Sequence, residues 1–380
     1  MKIVDVFVSY FKKLDKLLLL LSVALSVFSV LLLHSIVTNG VSTIALTSAL
    51  YRNQAVISAA AIVISMLICA LDYHKVVKLW VIYAPLAVVL SLLVFTDLGI
   101  EVADDRAWID LKVITLQPSE LLKITFITTF ALHLSKVGDK INSIGNVMLL
   151  AAHALIPTVI VLAQGDDGTA CVFIMIFVIM MYAAGISWLY ILPCVIALPV
   201  GGWFVWNHVM KDFQKMRFLV LFDDELDPLG IGYHQRVSKL ALGSGQVFGK
   251  GLHAEDYVKV PEAANDFIFT YIGQCFGFVG CIAVMAVLLI VTLKVLASSR
   301  SARDPLGKLI CVGVFAMLIT HCILNLGMVF GMLPVIGVPL PYLSQGGTSV
   351  LAIYIGIGLV MSVRAHNEKV YRMFYDPEKK

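Results

Sequence analysis

The chain reads as an all-α polytopic membrane protein, and three observations predict this. Sixty per cent of its 380 residues are hydrophobic and only 14% are charged, against roughly a quarter charged in soluble domains. Apolar stretches close to the span length of about 20 residues recur along the sequence. No segment of about ten residues alternates apolar with polar side chains, which excludes a transmembrane barrel. The expectation is one transmembrane domain over residues 1–380, with about ten transmembrane helices. A large extracytoplasmic loop, about residues 207–266, falls between the seventh and the eighth.

The first apolar run is Leu17–Val37. Lys12, Lys13 and Lys16 precede it, and it is too long for a cleavable signal core, so it reads as a retained span. The next are Ala55–Leu71, Leu79–Phe95, Leu121–Leu134, Val147–Ala163, Ala170–Ala184 and Trp188–Trp206. After the long loop come Phe267–Leu296, Leu309–Phe330 and Val350–Val363. Lys and Arg gather in Lys294–Lys308 and after Arg364, whereas most acids fall between the other pairs of spans, which predicts cytoplasmic N- and C-termini. The net charge of +3 is small and mostly on that side, so it suits anionic lipid and not nucleic acid. Seven cysteines sit in apolar segments without metal-site spacing and read as buried free thiols. No internal repeat is evident, which weakens an inverted-repeat transporter.

Three extracytoplasmic segments exceed what a turn needs: Thr96–Gln117, Asn207–Asp266 and Gly331–Gly347. In the second, Lys211–Phe222 and Tyr233–Leu242 carry apolar residues at helical spacing, as helices lying in the interface do. Asp227-Pro228-Leu229-Gly230 is a turn between them. Its Gly243-Ser244-Gly245-Gln246-Val247-Phe248-Gly249-Lys250-Gly251 stretch fails as a nucleotide loop, because Ser244 takes the first glycine position and Gly251 follows the lysine. In the third, Pro334, Pro339, Pro341, Gly346 and Gly347 break helix propensity repeatedly. Irregular backbone at membrane depth survives only when buried in protein or lining a cavity, so this segment reads as a site wall.

Ionisable groups collect at the same face. Pro118 suits the first turn of a helix, Glu120 follows at its positive end, and Lys123 shares the face of Glu120. Charges inside a span cost about 2.5–3.5 kcal/mol each and default to functional candidates. Asp166 and Asp167 open another span. Glu262 and Asp266 precede the eighth, where Asp266 either caps the helix or does chemistry on something that lives in both water and lipid. Arg106, Lys112, Lys123, Arg217 and Lys250 supply positive charge nearby, and a divalent cation (Mg²⁺ or Mn²⁺) would bridge the acids and a pyrophosphate. The whole is an outward-facing, mixed-charge cavity open to lipid.

At these residues the chain resembles the SEDS family (shape, elongation, division and sporulation proteins). The likeness rests on five ordered motifs: Arg106-Ala107-Trp108-Ile109 with Gln117-Pro118-Ser119-Glu120; Gln164 to Thr169; Gly243 to Gly251; Pro261-Glu262 with Asp266-Phe267-Ile268-Phe269; and Pro339-Leu340-Pro341 with Ser344, Gly346 and Gly347. It looks more like the elongation-type, RodA-like branch than the division-type, FtsW-like one, on Gly337-Val338-Pro339 and Met361-Ser362-Val363-Arg364. The resemblance implies a peptidoglycan glycosyltransferase of the bacterial cytoplasmic membrane that polymerises lipid II. It places the catalytic base on Asp266 and a functional tryptophan on Trp108. The partner it implies is a class B penicillin-binding protein within an elongation complex. Substrate contacts are then expected from Arg106, Trp108, Glu120, Lys123, Asp166, Arg217, Lys250, Glu262 and Ser344, with no nucleotide. A flippase for lipid-linked precursors and a non-catalytic scaffold are the rival readings. Gln274 and Asn265 depart from the glutamate and threonine usual in the family.

Overall fold

In the computed structural model, residues 14–43, 45–102, 105–110, 115–223, 226–227 and 230–366 are described. Lys12, Lys13, Lys112 and the Pro228-Leu229 pair of the expected turn lie outside the described residues. Each of the ten apolar runs falls on a helix. They are α1 (Lys16–Asn39), α2 (Ala49–Ala70), α4 (Trp80–Leu93), α5 (Pro118–Val137), α6 (Ile144–Ala163), α7 (Asp167–Ala184), α8 (Trp188–His208), α11 (Ile268–Ser301), α12 (Pro305–Val329) and α13 (Gly347–His366). Among the described residues, eight are long and apolar enough to cross a membrane. Of the other two, α4 has only 14 residues, and α5 has the length but carries Glu120, Lys123 and Lys136. Short α3 (Tyr73–Lys78) links α2 to α4.

The loop helices are α9 (Asp212–Leu219) and α10 (Ile231–Ser244), close to the two expected. One element departs from an all-α reading. A small antiparallel sheet consists of β1 (Gly99–Val102), β2 (Asp105–Asp110) and β3 (Thr115–Leu116). Along β2, Ala107 and Ile109 are buried while Arg106 and Asp110 are exposed, so the strand turns one apolar face onto the bundle.

Helices α12 and α13 form the centre, with most side chains buried. At the periphery, α8 buries none of its residues. Helix α1 docks through a polar stripe, since Ser22, Ser26 and Ser29 recur at helical spacing on one face. Their hydroxyls meet Tyr342 Oη (3.2 Å), Tyr354 Oη (2.8 Å) and Leu343 O (2.7 Å). The stripe thereby ties α1 to the irregular 331–347 segment. At the opposite end of the bundle, buried Asp15 joins Lys294 (3.2 Å) and Arg364, tying α1, α11 and α13 together.

Helix α11 is broken at Gly277, whose φ of 63° and ψ of −161° lie in a region only glycine occupies readily. The break accepts the 246–251 segment. Lys250 N–H and Gly251 N–H donate to the Gln274 and Cys275 carbonyls (2.8 and 2.9 Å). Phe278 N–H and Val279 N–H donate to the Gln246 and Val247 carbonyls (2.8 and 3.1 Å). Groups freed by the break are therefore re-paired, as backbone inside a membrane must be. A Cβ on Gly277 would lie 2.4 Å from Gly249 N. The glycine-rich motif is thus a plug for an interrupted helix.

Candidate functional site

Four helices begin at one end of the bundle, around the loop that carries Asp266. Gln117, just before α5, places its N–H on Thr348 Oγ1 of α13 (3.2 Å) and its side-chain amide on Asp166 Oδ2 (3.0 Å). Asp166 caps α7, accepting from Thr169 N–H at 2.8 Å, and Asp167 accepts from Gln214 of α9 at 2.5 Å. Asp166 satisfies a free N–H of the first turn as an N-cap does, whereas Asp167 ties the start of α7 to the loop helix α9. Ser344 lies beside the turn that precedes α11. Its hydroxyl donates to Asn265 O (2.7 Å) and accepts from Leu340 N–H (2.8 Å), so it is already occupied by the protein.

Asp266 closes a compact turn over residues 262–266. Glu262 adopts a φ of +52°, and its carbonyl accepts from Asn265 N–H at 2.9 Å. The Asn265 amide, at a departure from the family pattern, also donates to the Glu262 carboxylate. Among the described residues no donor reaches the Asp266 carboxylate, so it does not act as a helix cap. A methyl group on Gly337 would stand 3.6 Å from Asp266 Oδ2, and one on Gly168 at the start of α7 would meet Ile336 O at 2.2 Å. The first distance is ordinary van der Waals contact and the second leaves room for backbone alone, so residues 336–338 thread between α7 and Asp266.

The electrostatics of this corner are acidic. Burial pushes the Asp266 carboxyl up to about 7, and the nearby charges of Glu262 and Asp166 push the same way. Asp166 is itself raised by burial, against the pull of its Thr169 bonds and of Lys123. His234 of α10 packs its ring 5.9 Å from Phe267, and burial lowers its pKa while Glu262 opposes that.

Beneath lies a buried polar chain. Lys123 Nζ donates to Glu120 Oε1 and to His321 Nε2, both at 2.9 Å, and His321 Nδ1 faces Pro339 O at 3.2 Å. A ring nitrogen facing a carbonyl must carry the proton, which leaves Nε2 as the acceptor from Lys123. Asn325, one turn further along α12, donates to Asp266 O (2.7 Å) and Val338 O (2.8 Å).

The remaining cations stand apart. Arg106 uses its side chain on Thr96 O (2.9 Å), while its N–H on Gln164 O (2.9 Å) seats the sheet against the start of α7. Trp108 is half-buried on β2, opposite Ile100. Lys250 pairs with Asp256 at 2.9 Å, and the Arg217 guanidinium lies 5.4 Å from the Phe213 ring. Among the described residues none of these cations pairs with Asp266, Glu262 or Asp166, and no three His, Cys, Asp or Glu side chains converge as a metal site.

Gln117, read from the sequence only as part of a motif, is joined here by His234, His321 and Asn325, which the sequence reading missed. The last two had a readable signal: polar side chains four apart in an otherwise apolar span. Gln274 makes paired bonds to Val258, accepting from its N–H (2.8 Å) and donating to its carbonyl (3.1 Å), a pattern that suits an amide and not a carboxylate.

Comparison with known proteins places this arrangement. The chain is 31% identical over 308 residues to the peptidoglycan glycosyltransferase MrdB of Escherichia coli K12, covering 80% of this chain and 82% of that one. It is equally 31% identical over 367 residues to a probable peptidoglycan glycosyltransferase FtsW of Geobacter metallireducens, covering 93% and 95%. Among solved structures, the fold matches a chain of a peptidoglycan synthase complex that coordinates polymerization and crosslinking, with a TM-score of 0.79 and 24% identity over 93% of this chain and 98% of that one. It also matches the rod shape determining protein RodA of Thermus thermophilus, with a TM-score of 0.68 and 24% identity over 96% and 98%. The profile of the FtsW/RodA/SpoVE cell cycle proteins matches residues 15–369, and the chain belongs to that family.

Proposed function

We propose that the chain is a peptidoglycan glycosyltransferase that polymerises lipid II at the outer face of the bacterial cytoplasmic membrane. The observation that carries this reading is the Asp266 carboxylate: unpaired among the described residues, fixed on a short turn at the mouth of the bundle, and raised to near neutral pH by burial and by its acidic neighbours. The positive ends of four helices beside it suit anionic phosphate. Both termini are cytoplasmic in this reading, supported by Lys294, Arg303, Lys308 and Arg364 at the far end of the bundle and by the acids at the site end.

The sugar 4-hydroxyl of an acceptor is a weak nucleophile. Asp266 takes its proton as the oxygen attacks the anomeric carbon of a lipid-linked donor. The bond from that carbon to the pyrophosphate oxygen breaks, and polyprenyl pyrophosphate leaves with the electron pair. This is one displacement with inversion, since a retaining route needs a second carboxylate as nucleophile. The Lys123–Glu120–His321 chain is nearly neutral as a unit and holds the floor of the site through Pro339. Arg106, Arg217 and Lys250, all on surface segments, are the cations available to the departing pyrophosphate once substrate is seated.

No three candidate ligands converge among the described residues, so a Mg²⁺ or Mn²⁺ ion would be held mainly by the substrate's own phosphates, with Glu262 as the protein carboxylate. Such an ion would neutralise charge on the leaving pyrophosphate.

A class B penicillin-binding protein of the elongation complex is the partner this reading implies, supported by the peptidoglycan synthase complex that shares the fold. The RodA-like motifs around Gly337–Pro341 favour elongation over division. The test is purified chain, with that partner, in vesicles holding labelled lipid II. Glycan polymer is the expected product. Lipid crossing the bilayer without polymer would replace this reading with a flippase.

A further inference from the structure

The Asp266 turn is held by groups that lie far from it in sequence. Three successive carbonyls, of Ala264, Asn265 and Asp266, each meet a different donor: Gln345 N–H (2.8 Å), Ser344 Oγ (2.7 Å) and Asn325 Nδ2 (2.7 Å). The first two donors belong to the 331–347 segment, which has no regular structure of its own where it faces the turn. Only Asn325 stands on a transmembrane helix, the central α12.

The same nitrogen also donates to Val338 O at 2.8 Å. Val338 follows Gly337, the backbone that faces the Asp266 carboxylate. One side chain therefore fixes the backbone under Asp266 and the backbone in front of it. Two bonds from one nitrogen require an NH₂ group, since a hydroxyl supplies one proton and a carboxylate none. Asn325 is fully buried, so no solvent water replaces those bonds. Its Oδ1 has no partner among the described residues. An orphaned buried acceptor is a cost that leucine, of similar size, would avoid, so filling space does not account for an asparagine here.

We propose that Asn325 is a positioning residue for glycosyl transfer, setting the distance between the Asp266 carboxylate and the 337–338 wall through two backbone carbonyls. It touches no substrate. The proposal rests on the glycosyltransferase reading for its kinetic consequence, but the clamp itself is testable without activity.

The experiment compares wild type with Asn325→Leu, which keeps the volume, and Asn325→Asp, which keeps the shape. At equal folded amounts, with the penicillin-binding partner, initial polymerisation rates are measured against lipid II concentration and pH. Deuterium exchange is followed in peptides covering 262–268 and 336–345. We expect kcat to fall roughly 10- to 100-fold in both variants, with KM within about twofold, as misplacement of about 1 Å at a reacting group does. In Asn325→Leu, which adds no charge, the acid limb of the rate profile should move to lower pH as water reaches the loosened carboxylate. Exchange should rise in those peptides alone. An unchanged kcat with unchanged exchange would overturn the proposal. So would activity lost in proportion to folded protein, with the acid limb unmoved and exchange raised all along α12. If Asp266→Ala itself polymerises normally, the glycosyltransferase reading of the base fails, and the exchange measurement still decides the clamp.

Discussion

The crowding around Asp266 makes the pH dependence of glycosyl transfer a quantitative test. A base works only when ionised, so activity is lost as pH falls through its pKa. With the carboxyl at about 7, roughly one-tenth is ionised at pH 6 and about nine-tenths at pH 8. The rate should therefore fall about tenfold across that interval. A carboxylate near its ordinary value of about 3.9 would give a flat profile over the same range. Glu262→Gln separates the causes. Glutamine keeps an oxygen for the Asn265 amide and removes the negative charge that raises Asp266. A neighbouring charge typically moves a carboxyl by about one unit, which would cut the ratio from tenfold to about twofold. The assay is initial polymer formation from lipid II at buffered pH, normalised to folded protein. A flat wild-type profile, or a tenfold ratio unchanged in Glu262→Gln, would refute the argument.

The same raised pKa sets a stability trade. A carboxyl raised in the folded state contributes stability below its unfolded pKa, and that contribution is lost as pH rises through about 7. Asp266→Asn should thus melt higher than wild type at pH 8 and equally near pH 4, by thermal unfolding in detergent. Lys123→Met leaves Glu120 buried without its partner and should cost about 3–5 kcal/mol, while Glu120→Gln with Lys123→Met should recover most of it; a double-mutant cycle on unfolding measures this. Gly277→Ala forces a side chain into a glycine-only conformation against Gly249, for at least about 1–3 kcal/mol, and should expose the 246–251 segment to proteolysis. Asp15→Ala strands Lys294 and Arg364, and because both cations are partly exposed the loss should stay near about 2 kcal/mol, read in the same unfolding assay.

Most of the fold was legible because its signal is local: a span-length apolar run is its own evidence for a helix. The Glu120–Lys123 pair and the acids before α7 and α11 were equally local, and the structure gathers Asp166, Glu262 and Asp266 at one end of the bundle. What stayed hidden depends on partners far away in sequence. The role of Gly243–Gly251 could not be read without Gly277, whose break in α11 this segment fills. The occupied hydroxyl of Ser344 becomes visible only with Asn265 and Leu340 in place. The small sheet escaped because β2 alternates over six residues only and β3 over two, too short for periodicity to speak. Arg106, Arg217 and Lys250 share a sign and a side of the membrane in the sequence reading, yet each has a separate local partner in the fold.

The role of Asp266 as the base that takes the proton of the attacking hydroxyl is open to direct measurement. The decisive quantity is the polymerisation rate of Asp266→Asn, folded and bound to its penicillin-binding partner, against wild type on the same lipid II. A loss of roughly 10²–10⁴-fold with KM little changed is expected. A rate within a fewfold of wild type would contradict it and reduce Asp266 to a structural group.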